Sequence, residues 1–245
     1  MENILELQNI SHAYHGKDGE TQALSNLSFS LKRGDFVSIV GPSGCGKSTI
    51  LSIISGLIPP EHGQVILHGN HIGYMLQKDH LLEWRNVYRN IILGLEIQHK
   101  ITPETKHQSQ DLLLKYGLDG FANAKPSELS GGMRQRVALI RTLVAKPELL
   151  LLDEPFSALD YQTRLTVCND VYKIITDQRV TALLVTHDIS EAISVSDKII
   201  VLTKRPSTVK KIFELDYGKT TPLKRRESAN FSKWFEILYK EMTDD

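Results

Sequence analysis

Residues 41–49 run Gly-Pro-Ser-Gly-Cys-Gly-Lys-Ser-Thr, and this stretch restricts the possible folds more than any other. Gly41 to Ser48 has the spacing of a phosphate-binding P-loop. The apolar run 36–40 precedes it, and Ile50, Leu51, Ile53, Ile54 and Leu57 follow at helical spacing. The loop therefore lies where a buried strand turns into a helix. Glycines there let successive N–H groups curl into a concave nest that a Cβ would obstruct. The helix beginning near Gly46 adds the partial positive charge of its N-terminus. Lys47 supplies a full charge for the β and γ phosphates, and the Ser48 hydroxyl is an oxygen ligand suited to Mg²⁺. Pro42, Ser43, Gly44, Cys45 and Thr49 complete the loop.

The remaining composition narrows the class. The chain has 245 residues, 41% hydrophobic and 24% charged, which fits a globular protein with a substantial core. Its 29 basic and 29 acidic residues balance, so no overall field favours nucleic acid or an anionic membrane. There are two cysteines, and one of them lies in the phosphate loop. A structural disulfide is therefore not expected, and a reducing cytosol is. The acidic start, Glu2 to Glu6, has no signal-peptide core, and no apolar run approaches a membrane span.

Short strands are expected at 4–10, 27–31 and 64–67, with the break Pro59-Pro60 before the last. From 78 to 146 the pattern becomes helical. Thr102-Pro103-Glu104 is a helix start, with a cap, proline at the first position and an acidic first turn. A helix from Ser130 carries Val137, Ile140 and Leu143 on its apolar face. The bare apolar runs 149–152 and 181–185 are expected as strands buried on both faces, with a helix at 161–176 between them. Residues 198–202 form the expected last core strand. Residues 204–228 are polar and turn-rich. An amphipathic helix at 229–242 carries Phe231, Trp234, Phe235, Leu238 and Tyr239.

Two further stretches carry chemistry. Leu149 to Leu152 deliver Asp153 and Glu154 at a strand's carboxyl end, where ligands collect in open α/β sheets. Asp153 is placed to hold Mg²⁺ and Glu154 to polarise an attacking water. Leu129-Ser130-Gly131-Gly132-Met133-Arg134-Gln135-Arg136 places a hydroxyl and two glycines at a helix start, a second anion-seeking end without a lysine. One P-loop and two such ends suggest that the second end completes the site of another copy in a head-to-tail pair.

With these motifs in order over roughly 3–203, the chain resembles the nucleotide-binding subunit of an ABC transporter. The resemblance implies an α/β fold of the RecA-like P-loop NTPase type. That fold has a mostly parallel sheet, an N-terminal antiparallel β part and an inserted α-helical subdomain. It implies one ABC ATPase domain over 1–245, with a core from 1–77 and 147–203. The helical subdomain would be 78–146, and a tail would follow at 204–245. It implies ATP and Mg²⁺ as ligands, with Ser48, Gln77 and Asp153 at the metal. Tyr14 would stack on adenine, and Gln77 would contact the metal or the water. Asp160, in Ser157-Ala158-Leu159-Asp160, would couple two sites, and His187 would contact the γ-phosphate. Lys47, Gln77, Glu154 and His187 form the catalytic set, with Ser130, Gly131 and Gly132 acting from the second copy.

The family's implied partners are a second copy, membrane-spanning permease subunits and, through them, a substrate-binding protein, with no nucleic acid. The implied place is the cytoplasmic face of the cell membrane. Residues 77–87 resemble the groove that receives a permease helix. Leu81, Leu82 and Trp84 are either exposed contacts there or cover for the insert's own core, and Glu83 stands where many relatives carry proline. The tail, with Lys204-Arg205-Pro206 and Arg225-Arg226-Glu227-Ser228, resembles the importer branch for nitrate, sulfonates, taurine and vitamin precursors. The alternative is a non-transport ABC ATPase of DNA repair or the ribosome. Against it stand the short insert and the single cassette. His62, His68 and His71 lack companion ligands and are expected as surface rather than a metal site. Cys45, at a helix N-terminus beside Lys47, is in a setting that favours thiolate.

Overall fold

The computed structural model describes residues 2–16, 19–218 and 220–243. Strands β1 (Asn3–Gly16), β2 (Gly19–Lys32), β3 (Phe36–Val40), β4 (His62–Leu67) and β5 (Ile72–Met75) occupy the first third of the chain, with helix α1 (Lys47–Ile54) after β3. Helices α2 (Val87–Ile91), α3 (Leu93–Ile97), α4 (Pro103–Lys115) and α5 (Gly131–Leu143) follow. Then β6 (Leu149–Asp153), α6 (Tyr161–Gln178), β7 (Thr181–Val185), α7 (Ile189–Val195) and β8 (Lys198–Leu202) alternate. β9 (Val209–Glu214), α8 (Pro222–Arg226) and α9 (Ala229–Thr243) end the chain.

β1 pairs antiparallel with β2 and β4 in a three-stranded sheet. The second sheet has the order β5-β6-β7-β3-β8-β9, parallel except for the antiparallel β9. Every residue of β3, β6 and β7 is buried, which is why these stretches are continuous apolar runs rather than alternating ones. The pleat splits each run between two cores. Leu150, Leu152, Ala182 and Leu184 join Val137, Ile140 and Val171 of α5 and α6 on one face. Leu149, Leu151, Leu183 and Val185 join Ile50 and Ile54 of α1 and Leu5 and Leu27 of the antiparallel sheet on the other. Register then does the positioning. Ile39 of β3 and Asp153 of β6 both lie opposite Val185 of β7, so three strands end at one edge.

Several local expectations match the structure. Thr102 caps α4, accepting from the Thr105 N–H, with Pro103 at the first position. Ser130 caps α5 by accepting from the Met133 N–H at 3.3 Å. Other expectations fail. β5 and β9 are not among the expected strands; β8 matches 198–202 as the last buried core strand, and β9 adds an exposed antiparallel edge beyond it. β5 is four residues containing a glycine, and most of β9 is exposed, so neither has the apolar run of a central strand. The apolar face of α9 also divides. Leu238 is fully buried and Trp234 packs on Phe213 at 6.0 Å, whereas Phe235 and Tyr239 are exposed and stack on each other.

The tail is pinned to the core by Arg225, whose side chain is fully buried. It donates to the carbonyls of Ser196 at 2.6 Å and Thr220 at 3.0 Å and lies 3.6 Å from Asp197. Its guanidinium also sits over the rings of Tyr172 and Tyr217. Arg225→Met keeps much of the volume but leaves buried carbonyls without a donor. The expected loss is about 3 kcal/mol in unfolding free energy, measured by urea denaturation.

Candidate functional site

The shared sheet edge brings three loops together: 41–49 after β3, 153–154 at the end of β6, and 186–187 after β7. In the first, Lys47 is buried and its ammonium donates to the carbonyls of Gly41 at 2.9 Å and Pro42 at 3.0 Å. Gly46 caps α1 with φ of 106°, and a Cβ there would come within 3.0 Å of Leu24. The positive φ calls for glycine, and the Leu24 side chain of β2 packs close over the same position. Ser43 sits on the loop between Pro42 and Gly44. Thr49 lies on α1, and its hydroxyl is 3.1 Å from that of Tyr14, which is half-exposed beside the helix.

Ser48 Oγ donates to Asp153 Oδ1 at 3.1 Å, and Tyr74 Oη lies 3.5 Å from Asp153 Oδ2. Burial pushes the Asp153 carboxyl up, the Glu154 charge adds to this, and the Ser48 hydrogen bond opposes it. Hydroxyl and carboxylate oxygens facing each other in this way are a hard donor set, and two protein oxygens suit a cation that takes its other ligands from phosphate and water. The pair fits Mg²⁺.

Glu154 has φ of 43°, rare for a residue with a long side chain, and its N–H donates to the Val185 carbonyl at 2.8 Å. Backbone strain of this kind collects at functional sites. Here it turns the carboxylate between two partners. Gln77 Nε2 donates to Oε2 at 3.4 Å, and His187 Nδ1 lies 3.1 Å from Oε1. Gln77 and His187, 110 positions apart in the sequence, therefore both reach the Glu154 carboxylate, one at each oxygen.

The signature stretch stands apart from this group. Gly131 and Gly132 open α5, and a Cβ on Gly132 would come within 2.8 Å of Val167 on α6. A Cβ on Gly131 would meet Leu159 at 3.1 Å. The two glycines thus seat the start of α5 against α6 and the 157–160 turn. Asp160 caps α6, accepting from the Thr163 N–H at 3.0 Å, and hydrogen bonds from the Thr163 side chain and then its backbone hold the carboxyl below the usual range. No hydrogen bond or ion pair among the described residues joins Ser130, Gly131 or Gly132 to the 41–49 loop of the same chain.

Sequence reasoning missed two clasps. Arg134 on α5 grips Asp79 with two bonds, at 2.8 and 3.1 Å, and reaches Glu83 at 2.9 Å. Burial alone raises the Asp79 carboxyl, and the Arg134 contacts outweigh it, holding the group below the usual range. Arg141, further along α5, donates to the carbonyls of Asp79 and His80. The second clasp is Arg205, whose Nε donates to the Gly44 carbonyl at 2.9 Å. No periodicity marks either one, because each joins distant segments. Of the three apolar residues at 81–84, Leu81 is buried in the core that α5 and α6 share with β6 and β7 and Leu82 is half-buried, while Trp84 is 73% exposed.

Loop, strand-end carboxylates and common sheet edge define a P-loop nucleoside triphosphatase. Comparison with known proteins makes the class narrower. The family model "ABC transporter" matches residues 24–157. The uncharacterized ABC transporter ATP-binding protein YtlC of Bacillus subtilis is 43% identical, covering 98% of this chain and 96% of YtlC. The aliphatic sulfonates import ATP-binding protein SsuB 1 of Rhodococcus jostii is 44% identical, covering 96% and 91%. The ATP-binding cassette MJ0796, solved as a dimer in a post-hydrolysis state bound to ADP and Pi, is 32% identical with a TM-score of 0.74, covering 86% of this chain and 98% of the cassette. The chain belongs to the ABC transporter family as an ATP-binding subunit, and it is an ATPase.

The thiolate expected at Cys45 is corrected. The side chain is buried, and that burial pushes the thiol up despite Lys47 nearby. Iodoacetamide at neutral pH should leave Cys45 unlabelled in the native protein and label it in urea, as read by peptide mass spectrometry. Rapid native labelling would contradict this burial.

Proposed function

We propose that the chain powers uptake of a small organic or inorganic anion, of the sulfonate, taurine or nitrate class, or of a vitamin precursor, through separate permease subunits. Its place would be the cytoplasmic face of the cell membrane. The likeness to a relative named for aliphatic sulfonates import supports the substrate class. Relatives named as transporter subunits over nearly their whole length favour transport over a role in DNA repair or at the ribosome. No helix among the described residues is long and apolar enough to cross a membrane, and this reading assigns the spans to the permease. Trp84 and the 77–87 segment are its docking face, and a binding protein acts through the permease. The same reading divides the chain into a core of 1–77 and 147–203, a helical subdomain of 78–146 and a tail of 204–245.

The observation that carries the hydrolytic reading is the convergence of Gln77 and His187 on Glu154 beside the Ser48–Asp153 pair. In this reading Tyr14 stacks on adenine. Backbone N–H groups of Gly41, Pro42 excepted, through Thr49 hold the triphosphate, and Lys47 swings its ammonium from the loop carbonyls onto the β and γ phosphates. Ser48, Asp153 and Gln77 would hold Mg²⁺, whose charge would offset that developing on the phosphates. Glu154 accepts the proton of the attacking water while His187 and Gln77 hold its carboxylate in place. A second copy closes the site with its Ser130, Gly131 and Gly132, and the turn ending at Asp160 couples the two sites. The dimeric cassette of known structure supports this pairing.

Glu154→Gln should bind ATP normally, lose roughly 100-fold or more of turnover, and accumulate an ATP-bound dimer on size-exclusion chromatography. Full turnover in that variant overturns the assignment. The shared site has its own test. Lys47→Ala and Ser130→Arg chains are expected to be inactive alone. Mixed equally, they should regain roughly a quarter of the wild-type rate, because half the dimers then contain one intact site. No recovery on mixing places the signature in the wrong copy.

A further inference from the structure

The His187 turn is held from behind by residues outside the set above. Thr186 is buried at the end of β7, where its hydroxyl accepts from the Asp188 N–H at 3.0 Å and donates to Glu191 Oε2 at 2.7 Å. Asp188 caps α7 by accepting from the N–H groups of Ser190 and Glu191. Glu191 is only 3% exposed, an unfavourable place for a carboxyl unless its partners hold it there. Facing it from α6 is Arg164, whose guanidinium points three ways. One terminal nitrogen donates to the Leu159 carbonyl at 3.0 Å and the other to Asp188 Oδ2 at 3.3 Å. Its Nε is buried without a hydrogen-bond partner and lies 3.7 Å from Glu191 Oε1. That separation is an ion pair just beyond hydrogen-bond range, so a small shift of the 157–160 turn is enough to complete or break it.

We propose that Arg164 and Glu191 are positioning residues for hydrolysis, a relay that carries the position of the 157–160 turn to His187 through Asp188 and Thr186. The proposal rests on the reading of Glu154 and His187 as hydrolytic residues. The 157–160 turn lies beside the start of α5, so the state of the signature region reaches the relay through Leu159. The relay never touches nucleotide, so it acts on turnover and not on binding.

Protonation gives it a distinctive signature. An ionised Glu191 accepts the Thr186 hydroxyl proton and attracts Arg164. A protonated one loses the attraction to Arg164 and competes for the Thr186 hydroxyl as a donor. Burial pushes the Glu191 carboxyl up to about 7, with Asp188 adding to the rise and Thr186, Arg164 and His187 opposing it. The groups facing it are Arg164 and Cys168 from α6 and Asp188 and His187 from its own turn. The Cys168 thiol, pushed up to about 12 by burial, stays neutral throughout. The Glu191 arm of the relay is therefore connected above about pH 7 and released below it, while the Arg164–Asp188 bond stays, and kcat should fall as pH drops through that value.

The test is steady-state ATPase of the full chain between about pH 6 and about pH 8.5. Glu191→Gln keeps an acceptor for Thr186 but cannot ionise. It should lower kcat roughly tenfold at the alkaline end, leave the KM for ATP within about twofold, and lose the component of the pH profile near 7. Thr186→Val should behave like Glu191→Gln and Thr186→Ser like wild type, which keeps the test intact if Glu191→Gln does not fold. An unchanged pH profile in Glu191→Gln, or equal rates in the two Thr186 variants, overturns the relay. In either of those outcomes an inactive Glu154→Gln leaves the hydrolytic reading standing, and an active one removes that reading itself.

Discussion

Everything at the candidate site depends on the register of three parallel strands. β6, β7 and β3 are hydrogen-bonded side by side, with Val185 opposite both Asp153 and Ile39. Hydrogen bonding in a parallel sheet gives little freedom to slide, because a shift by one residue would exchange the two cores on either side of each run. Leu151 and Leu183 would leave the α1 face, and Leu150 and Ala182 would leave the α5 face. The packing of two apolar cores therefore fixes the heights of Lys47, Asp153 and His187 relative to one another. Chemistry that needs ångström placement is delegated to the least polar part of the chain.

Much of this was legible without coordinates, for a physical reason. A P-loop, a strand ending in Asp-Glu and a capped Ser-Gly-Gly helix each require particular residues at particular local spacings. Ser130 is a cap because it precedes two glycines and an apolar period, and the structure shows the cap bond. β9 was not legible, because an edge strand needs only one buried face and its exposed lysines look like turn. Leu81 was ambiguous because a leucine in an irregular segment carries no period to say which way it faces. Cys45 misled because sequence shows the charge of Lys47 two residues away and not the burial of the sulfur beside Gly41 and Ser207. The clasps of Arg134, Arg164 and Arg225 were not legible for a common reason: each acts on partners in other elements, and no local pattern announces a long-range clasp.

These arginines divide the work. Arg225 fastens the tail to the end of α7 and to α6. Arg164 joins the 157–160 turn to the His187 turn. Arg134 joins α5 to the segment after Gln77. A planar guanidinium with several donors suits such junctions, since it can satisfy a carbonyl and a carboxylate of different elements at once. The core thus needs few buried carboxylates of its own. Glu191, the most enclosed of them among the described residues, sits behind the His187 turn at the candidate site rather than in the apolar interior.

The Arg134 clasp has a mechanical consequence when taken together with Arg141. The two residues stand seven positions apart on α5, roughly 10 Å along its axis, and both hold the same short stretch at 79–80. A single tether would let that stretch pivot about the helix. Two tethers on one rod remove the pivot as well as the separation. The 79–80 stretch is therefore fixed to α5 in orientation as well as in distance, and Arg134 carries the hold on to Glu83, next to the exposed indole of Trp84.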